Sequence, residues 1–217
     1  MGNLSITLIL VIITVLISYK AFSDPGAKAQ LVFHPASIKN RGEYYRFITS
    51  GFIHLDLTHL LVNMFVLWQF GEVVENIFIE AIFGQVWGRI AYILFYLSAI
   101  VVASIPTYVR YQDQYGYSAL GASGATSALV FIYILLLPWE WFIFPPLPAI
   151  ILGVAYLWYS SYMDKRGVDN IGHNAHFWGA VYGVAFFVVS CLIFAPHLLD
   201  YILSSLMQGP KPPPFFN

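Results

Sequence analysis

The stretch Gly172-His173-Asn174-Ala175-His176-Phe177-Trp178-Gly179-Ala180-Val181-Tyr182-Gly183 opens an apolar run that continues to Phe194. Ala175 to Phe194 contains no Asp, Glu, Lys or Arg. A bilayer core about 30 Å thick is crossed by roughly 20 such residues, each rising about 1.5 Å along a helix. The segment therefore reads as a membrane helix. His176, Gly179 and Gly183 fall at i, i+3 and i+7, on one stripe of one face. The two glycines form a GxxxG contact surface, and the imidazole sits one turn above it. An ionisable ring inside a membrane segment is costly to bury and is read first as functional.

Two other polar clusters interrupt apolar segments. Gly121-Ala122-Ser123-Gly124-Ala125 surrounds one hydroxyl with small residues at the start of a helix. Unpaired N–H groups at such a terminus can receive an oxyanion. The same cluster also reads as an ordinary helix-packing surface. His59 and Asn63 lie four apart, on one face of another helix, and equally read as a helix–helix hydrogen bond. If the Gly179–Gly183 surface packs on the small residues around Ser123, the imidazole of His176 comes within reach of the hydroxyl. Serine becomes a nucleophile only with a base at hydrogen-bond distance. No Asp or Glu lies in the helical stretches beside Ser123 or His176, so the pair is a dyad and not a triad.

The composition agrees with a membrane setting. The 217 residues are 59% hydrophobic and 10% charged, against about 25% charged in a soluble domain. Mean hydropathy is +0.71. A net charge of -1 leaves no basic footprint for nucleic acid. One cysteine excludes a disulfide framework and any CxxC site. Aromatic residues at 18% exclude a disordered chain. Six spans are expected: Leu4–Tyr19, His59–Phe78, Arg89–Arg110, Ala122–Leu137, about Phe144–Tyr162, and Ala175–Phe194. The first has no Lys or Arg before it, so it reads as a retained helix, although Ala21-Phe22-Ser23 has the pattern of a cleavage site. Pro145, Pro146 and Pro148 are expected in the first turn of the fifth span. The fold class is all-α and polytopic, one six-helix domain over residues 1–209, with a Pro-rich tail over 210–217. Lys20–Thr58 is too long to be a simple connection and is expected to be a structured, partly embedded insertion. Lys and Arg concentrate after the first, third and fifth spans, which by the positive-inside rule puts both termini outside the cytoplasm.

These residues resemble the rhomboid family of intramembrane serine proteases. The resemblance runs from about Arg46 to Gly183 and rests on Gly121-Ala122-Ser123-Gly124, on Ala175-His176 through Gly179 and Gly183, and on His59 with Asn63. It implies a six-transmembrane-helix bundle of the rhomboid type. Ser123 would be the nucleophile and His176 the general base. His59 and Asn63, with the N–H groups of Ser123 and Ala122, would form the oxyanion hole. His54, Gly121, Gly124, Gly179 and Gly183 would support the site, and Glu75 would tie helix ends together. The implied partners are transmembrane protein substrates within the lipid bilayer, with no nucleic acid, no cofactor and no metal. Substrate would enter near the fifth helix beneath a cap formed by the Asp164–Gly172 loop. The implied location is a bacterial inner membrane with a cytoplasmic N-terminus, against the charge count. One position departs from the family pattern: Ser127 stands where many members carry a Tyr that stacks on the catalytic His, which leaves open what supports His176.

Four other readings compete with this one. A zinc protease of the His-Glu-x-x-His type lacks its Glu in His173-Asn174-Ala175-His176. An aspartyl type needs two membrane Asp residues, and no expected span core contains one. A transporter is disfavoured by the absence of repeats. The second non-enzyme alternative, beside the transporter, is a catalytically silent rhomboid-like protein that binds membrane clients.

Overall fold

The computed structural model describes residues 4–142, 145–166 and 172–210. Its long helices are α1 (Ile6–Ser23), α5 (Leu57–Ile77), α6 (Gln85–Tyr111), α7 (Ser123–Leu136), α8 (Ala149–Arg166) and α9 (His173–Phe194). They fall on the six expected segments. The connection after α1 folds into α2 (Pro25–Leu31), α3 (Pro35–Arg41), α4 (Arg46–Thr49) and a 3-10 turn, Ser50–Phe52. α10 (His197–Gln208) follows α9. Among the described residues, extended pairing is confined to the isolated bridges Phe33–Ala119 and Trp141–Pro148. The protein is all-α.

Among the described residues, four helical stretches are long and apolar enough to cross a bilayer: Ile6–Ser23, Leu57–Ile82, Gln85–Tyr111 and His173–Phe194. α7 has 14 residues, too short to span a bilayer at about 1.5 Å per residue. It is instead the centre of the bundle, packed among α5, α6 and α9, and Ala125, Ala128, Leu129 and Ile132 are fully buried. α8 lies at the periphery, on α9 and α7, and buries Ala149, Gly153 and Ser160.

Helix ends explain how these elements hold together. The Glu75 carboxylate, buried near the end of α5, accepts the N–H groups of Ile6 and Thr7 at 2.8 Å each. Those donors have no partner inside α1, and a negative charge suits the positive end of its dipole. Thr7 and the Tyr92 hydroxyl, 2.9 Å apart, add α6 to the junction. The expected tie between helix ends is therefore present.

The insertion between α1 and α5 is ordered, as its length suggested. Its α2 and α3 begin with Pro25 and Pro35 at the first helical position, behind Asp24 and His34 caps that accept from Ala27 and Ser37 N–H. Buried Arg46 pairs with Glu43 and donates to the carbonyls of Ala29 and Val32 at 3.0 and 2.9 Å.

Three expectations change. α8 starts at Ala149, not near Phe144, because Pro148 is held outside the helix in the bridge with Trp141, and Phe142 N–H donates to Leu147 O. α1 extends four residues past Tyr19, to Ser23. α10 was not expected; Pro196 separates it from the apolar run. The tail over 211–217 and the centre of the Asp164–Gly172 loop lie outside the described residues.

Candidate active site

Ser123 is the first residue of α7, behind Ala122 as N-cap. The backbone reaches it through two ties to the insertion. Phe33 and Ala119 exchange both backbone hydrogen bonds, at 2.9 and 3.0 Å, and Gly121 N–H donates to Ser50 O at 2.9 Å. Gly121 has φ +116°, and a Cβ there would stand 2.7 Å from Cε1 of His59. Only glycine allows both that backbone and that ring. The His59 imidazole therefore lies against the turn that leads into Ser123.

His54 fixes the next residue. The N–H of Ala122 donates to His54 Nε2 at 3.3 Å, and His54 Nδ1 lies 2.9 Å from Ser18 Oγ, which donates to Phe52 O at 3.0 Å. Nε2 is thus an acceptor, Nδ1 carries the proton, and the ring is neutral. Burial, followed by the nearby His59 charge, holds its pKa down from 6.5 to about 3. This bond corrects one expectation: the Ala122 N–H is committed to His54 and is not an open oxyanion donor.

Asn63, buried on α5, is oriented from both ends of its amide. Its Nδ2 donates to His59 O at 2.9 Å, and Thr126 Oγ1 lies 3.3 Å from its Oδ1 and 3.2 Å from Ser123 O. One Nδ2 hydrogen remains beyond that bond. Thr126 links Asn63 to the first turn of α7; sequence reasoning missed it, although its place three residues after Ser123 puts it on the same face.

α9 meets α7 backbone to backbone. A Cβ on Gly179 would land on the carbonyl of Gly124, and one on Gly183 on the carbonyl of Ala128. A Cβ on Gly124 would stand 2.8 Å from Ala103 Cβ of α6, with Ala175 O at 3.6 Å. The residue before His176 thus faces the residue after Ser123. Asn174 Nδ2 donates to Thr107 Oγ1 of α6 at 3.1 Å and anchors the first turn of α9. Half-buried Ser123 and His176 are brought to one end of this contact, with His59 and Asn63 arriving from α5.

The His176 ring is stacked on Tyr156 of α8, centroids 5.9 Å apart and planes at 21°. The Tyr156 hydroxyl lies 3.2 Å from Ser127 Oγ. The position that departs from the family pattern thus holds a tyrosine by its far end. Periodicity in α8 alone gave no sign of which aromatic faces inward. Among the described residues, no three His, Cys, Asp or Glu side chains gather to hold a metal ion.

A family model described as Rhomboid domain matches residues 41–193, about seven-tenths of the chain. The chain belongs to the rhomboid family. RHOMBOID-like protein 12, mitochondrial, of Arabidopsis thaliana is 32% identical over 64% of this chain and 44% of its own length. Presenilin-associated rhomboid-like protein, mitochondrial, of Mus musculus is 32% identical over 63% of this chain and 36% of its own length. Rhomboid protease GluP of Bacillus subtilis is 32% identical over 41% of this chain and 15% of its own length. The match thus spans less than half the length of each of these rhomboid relatives. The spans and the family together make this an integral membrane protein. Mitochondrial and bacterial names stand side by side among the relatives, so the expected bacterial inner membrane is not supported.

Proposed function

We propose that this rhomboid is an intramembrane serine endopeptidase that cleaves peptide bonds in or near the transmembrane segments of protein substrates. The observation that carries the reading is the contact of α7 and α9, Gly179 on Gly124 and Gly183 on Ala128, at whose end Ser123 and His176 stand. Ser123 Oγ attacks the scissile carbonyl while its proton passes to His176. The oxyanion of the tetrahedral intermediate accepts hydrogen bonds from the Ser123 N–H, from Asn63 Nδ2 and from the His59 ring. Collapse breaks the C–N bond, and His176 returns the proton to the leaving amine. Water, deprotonated by His176, then attacks the acyl-enzyme and releases Ser123.

The substrate class follows from the setting. A membrane helix hides its carbonyls in its own hydrogen bonds, so a substrate segment must unwind locally before attack. Substrate entry near α8 is part of the same proposal. The test compares wild type with Ser123→Ala and His176→Ala, purified in liposomes, on a reporter with one transmembrane segment. Wild type cleaves and both variants are silent to the same extent, because members of a catalytic unit are non-additive. Cleavage that survives Ser123→Ala removes the nucleophile from this account. A folded wild type that binds such segments and never cleaves them establishes the catalytically silent alternative.

A further inference from the structure

The ring stacked on His176 comes from α8, a helix that neither Ser123 nor His176 belongs to. We propose that Tyr156 is a positioning residue for His176, and that it makes the alignment of this base depend on how α8 is seated against α7 and α9. The proposal rests on the protease reading of Ser123 and His176 and adds to it a coupling between the base and a peripheral helix.

The Tyr156 side chain is fixed at two points. Its ring lies on the imidazole, with centroids 5.9 Å apart, and its hydroxyl is hydrogen-bonded to Ser127, one turn beyond Ser123 on α7. One tyrosine therefore bridges the helix of the nucleophile and the helix of the base. Tyrosine has only two side-chain torsions, so with both ends engaged the ring is nearly immobile relative to its own backbone. The imidazole turns toward α8 only if that ring moves away.

α8 is the least embedded of the helices around the site. It buries Ala149, Gly153 and Ser160, and Arg110 meets Asp164 near its end at 2.9 Å. Gly153, about one turn before Tyr156, packs against Ile134 and Phe131 of α7. Tyr156 itself is 37% exposed, so it is reached from outside the bundle as well as from His176. A segment that lifts α8 takes the ring with it, because the phenol cannot lengthen. A ring carried on α7 would instead move with Ser123. Here the base is held in register when α8 is seated and released when it is displaced.

The test uses Tyr156→Leu, Tyr156→Phe and Ser127→Ala in the full chain, together with Gly153→Leu, which wedges α8 off α7. Two quantities are read: kcat and KM on the transmembrane reporter, and the ring-current shift of the His176 imidazole protons by NMR in detergent. Tyr156→Leu is expected to lower kcat about tenfold or more, with KM changed less than about twofold, as loss of an orienting group does. Tyr156→Phe keeps the ring and restores most of kcat. Ser127→Ala matches Tyr156→Phe, and combining the two adds nothing, since both remove one hydrogen bond. Gly153→Leu lowers kcat in the wild-type background and has no further effect on kcat with Tyr156→Leu.

Unchanged kcat and an unchanged His176 shift in Tyr156→Leu overturn the positioning role. Additive losses from Gly153→Leu and Tyr156→Leu overturn the coupling to α8. If Tyr156→Leu does not fold, the Tyr156→Phe and Ser127→Ala pair decides in its place, and additivity between them counts against the tether. If wild type shows no Ser123-dependent turnover, the protease reading fails by itself. The His176 shift, lost with Gly153→Leu and kept with Tyr156→Phe, still decides the positioning claim.

Discussion

His54 joins α1 by Ser18 and the start of α7 by Ala122 through one neutral ring, and Ser18 in turn donates to Phe52 O of the insertion. Replacing it by Ala leaves the Ala122 N–H buried without an acceptor, a loss of about 1–3 kcal/mol of stability. Thermal unfolding of His54→Ala in detergent measures it. The ring also sets a pH dependence. Its folded pKa is held down to about 3, while in the unfolded chain it titrates at its ordinary 6.5. As pH falls the unfolded form takes up the proton first. The contribution of His54 is therefore complete above about pH 6.5 and is lost as pH falls from there toward about 3. The unfolding temperature should fall over that window in wild type and fall less in His54→Gln. Asn63 is the site residue whose role is easiest to isolate, because Thr126 and His59 O already fix its amide. Asn63→Ala should lower kcat by about 10²-fold with little change in folding, as removal of one oxyanion donor does. Ser123, His176, His59 and Asn63 were legible in the sequence because polar groups stand out in apolar helices. Thr126 was not singled out, and the engagement of Ala122 N–H with His54 was invisible, since a backbone donor carries no side-chain signature.

α7 and α9 touch through glycines, and their contact is the most demanding packing feature of the fold. Gly179→Ala places a methyl group on the Gly124 carbonyl, which forces the helices apart next to Ser123. The expected cost is about 1–3 kcal/mol of stability, together with a fall in kcat. Gly183→Ala meets the Ala128 carbonyl one turn further from the site. It should cost similar stability and less activity. Gly116→Ala, where a Cβ has nothing within 4 Å, is the control and should change neither. Thermal unfolding and turnover of the three variants separate these outcomes. The GxxxG spacing made this contact readable, because two glycines four apart have few other uses in a membrane helix. α10 was missed for the opposite reason: its mixed face gives no long apolar run. The prolines before α8 misled, since proline suits both a first helical turn and the turn preceding it. The short helices of the insertion had a signal, Asp24-Pro25 and His34-Pro35, each a cap followed by proline.

Among the described residues, α5, α6, α8 and α9 pack against one short central helix, α7, and α1 packs outside it on α5. α7 is too short to span a bilayer, which sets Ser123 at a helix start inside the bundle and leaves space for the insertion to fold down to it through Phe33, Ala119 and Ser50. Glu75 closes the far end by capping α1. Glu75→Gln keeps one acceptor and loses the charge beside the α1 N-terminus, so it should lower stability by about 1 kcal/mol without changing the substrates cleaved, read by unfolding in detergent and by product masses. Scarcity of charge is the property that ties these scales together. With 10% charged residues and no carboxylate in the helical stretches beside Ser123 or His176, the proposed mechanism leaves proton transfer to a serine and a histidine with neutral helpers. The most direct measurement is turnover of a single-span reporter by wild type and by Ser123→Ala, side by side in liposomes. The account predicts specific cleavage by wild type and none by Ser123→Ala. Equal cleavage by both would contradict it.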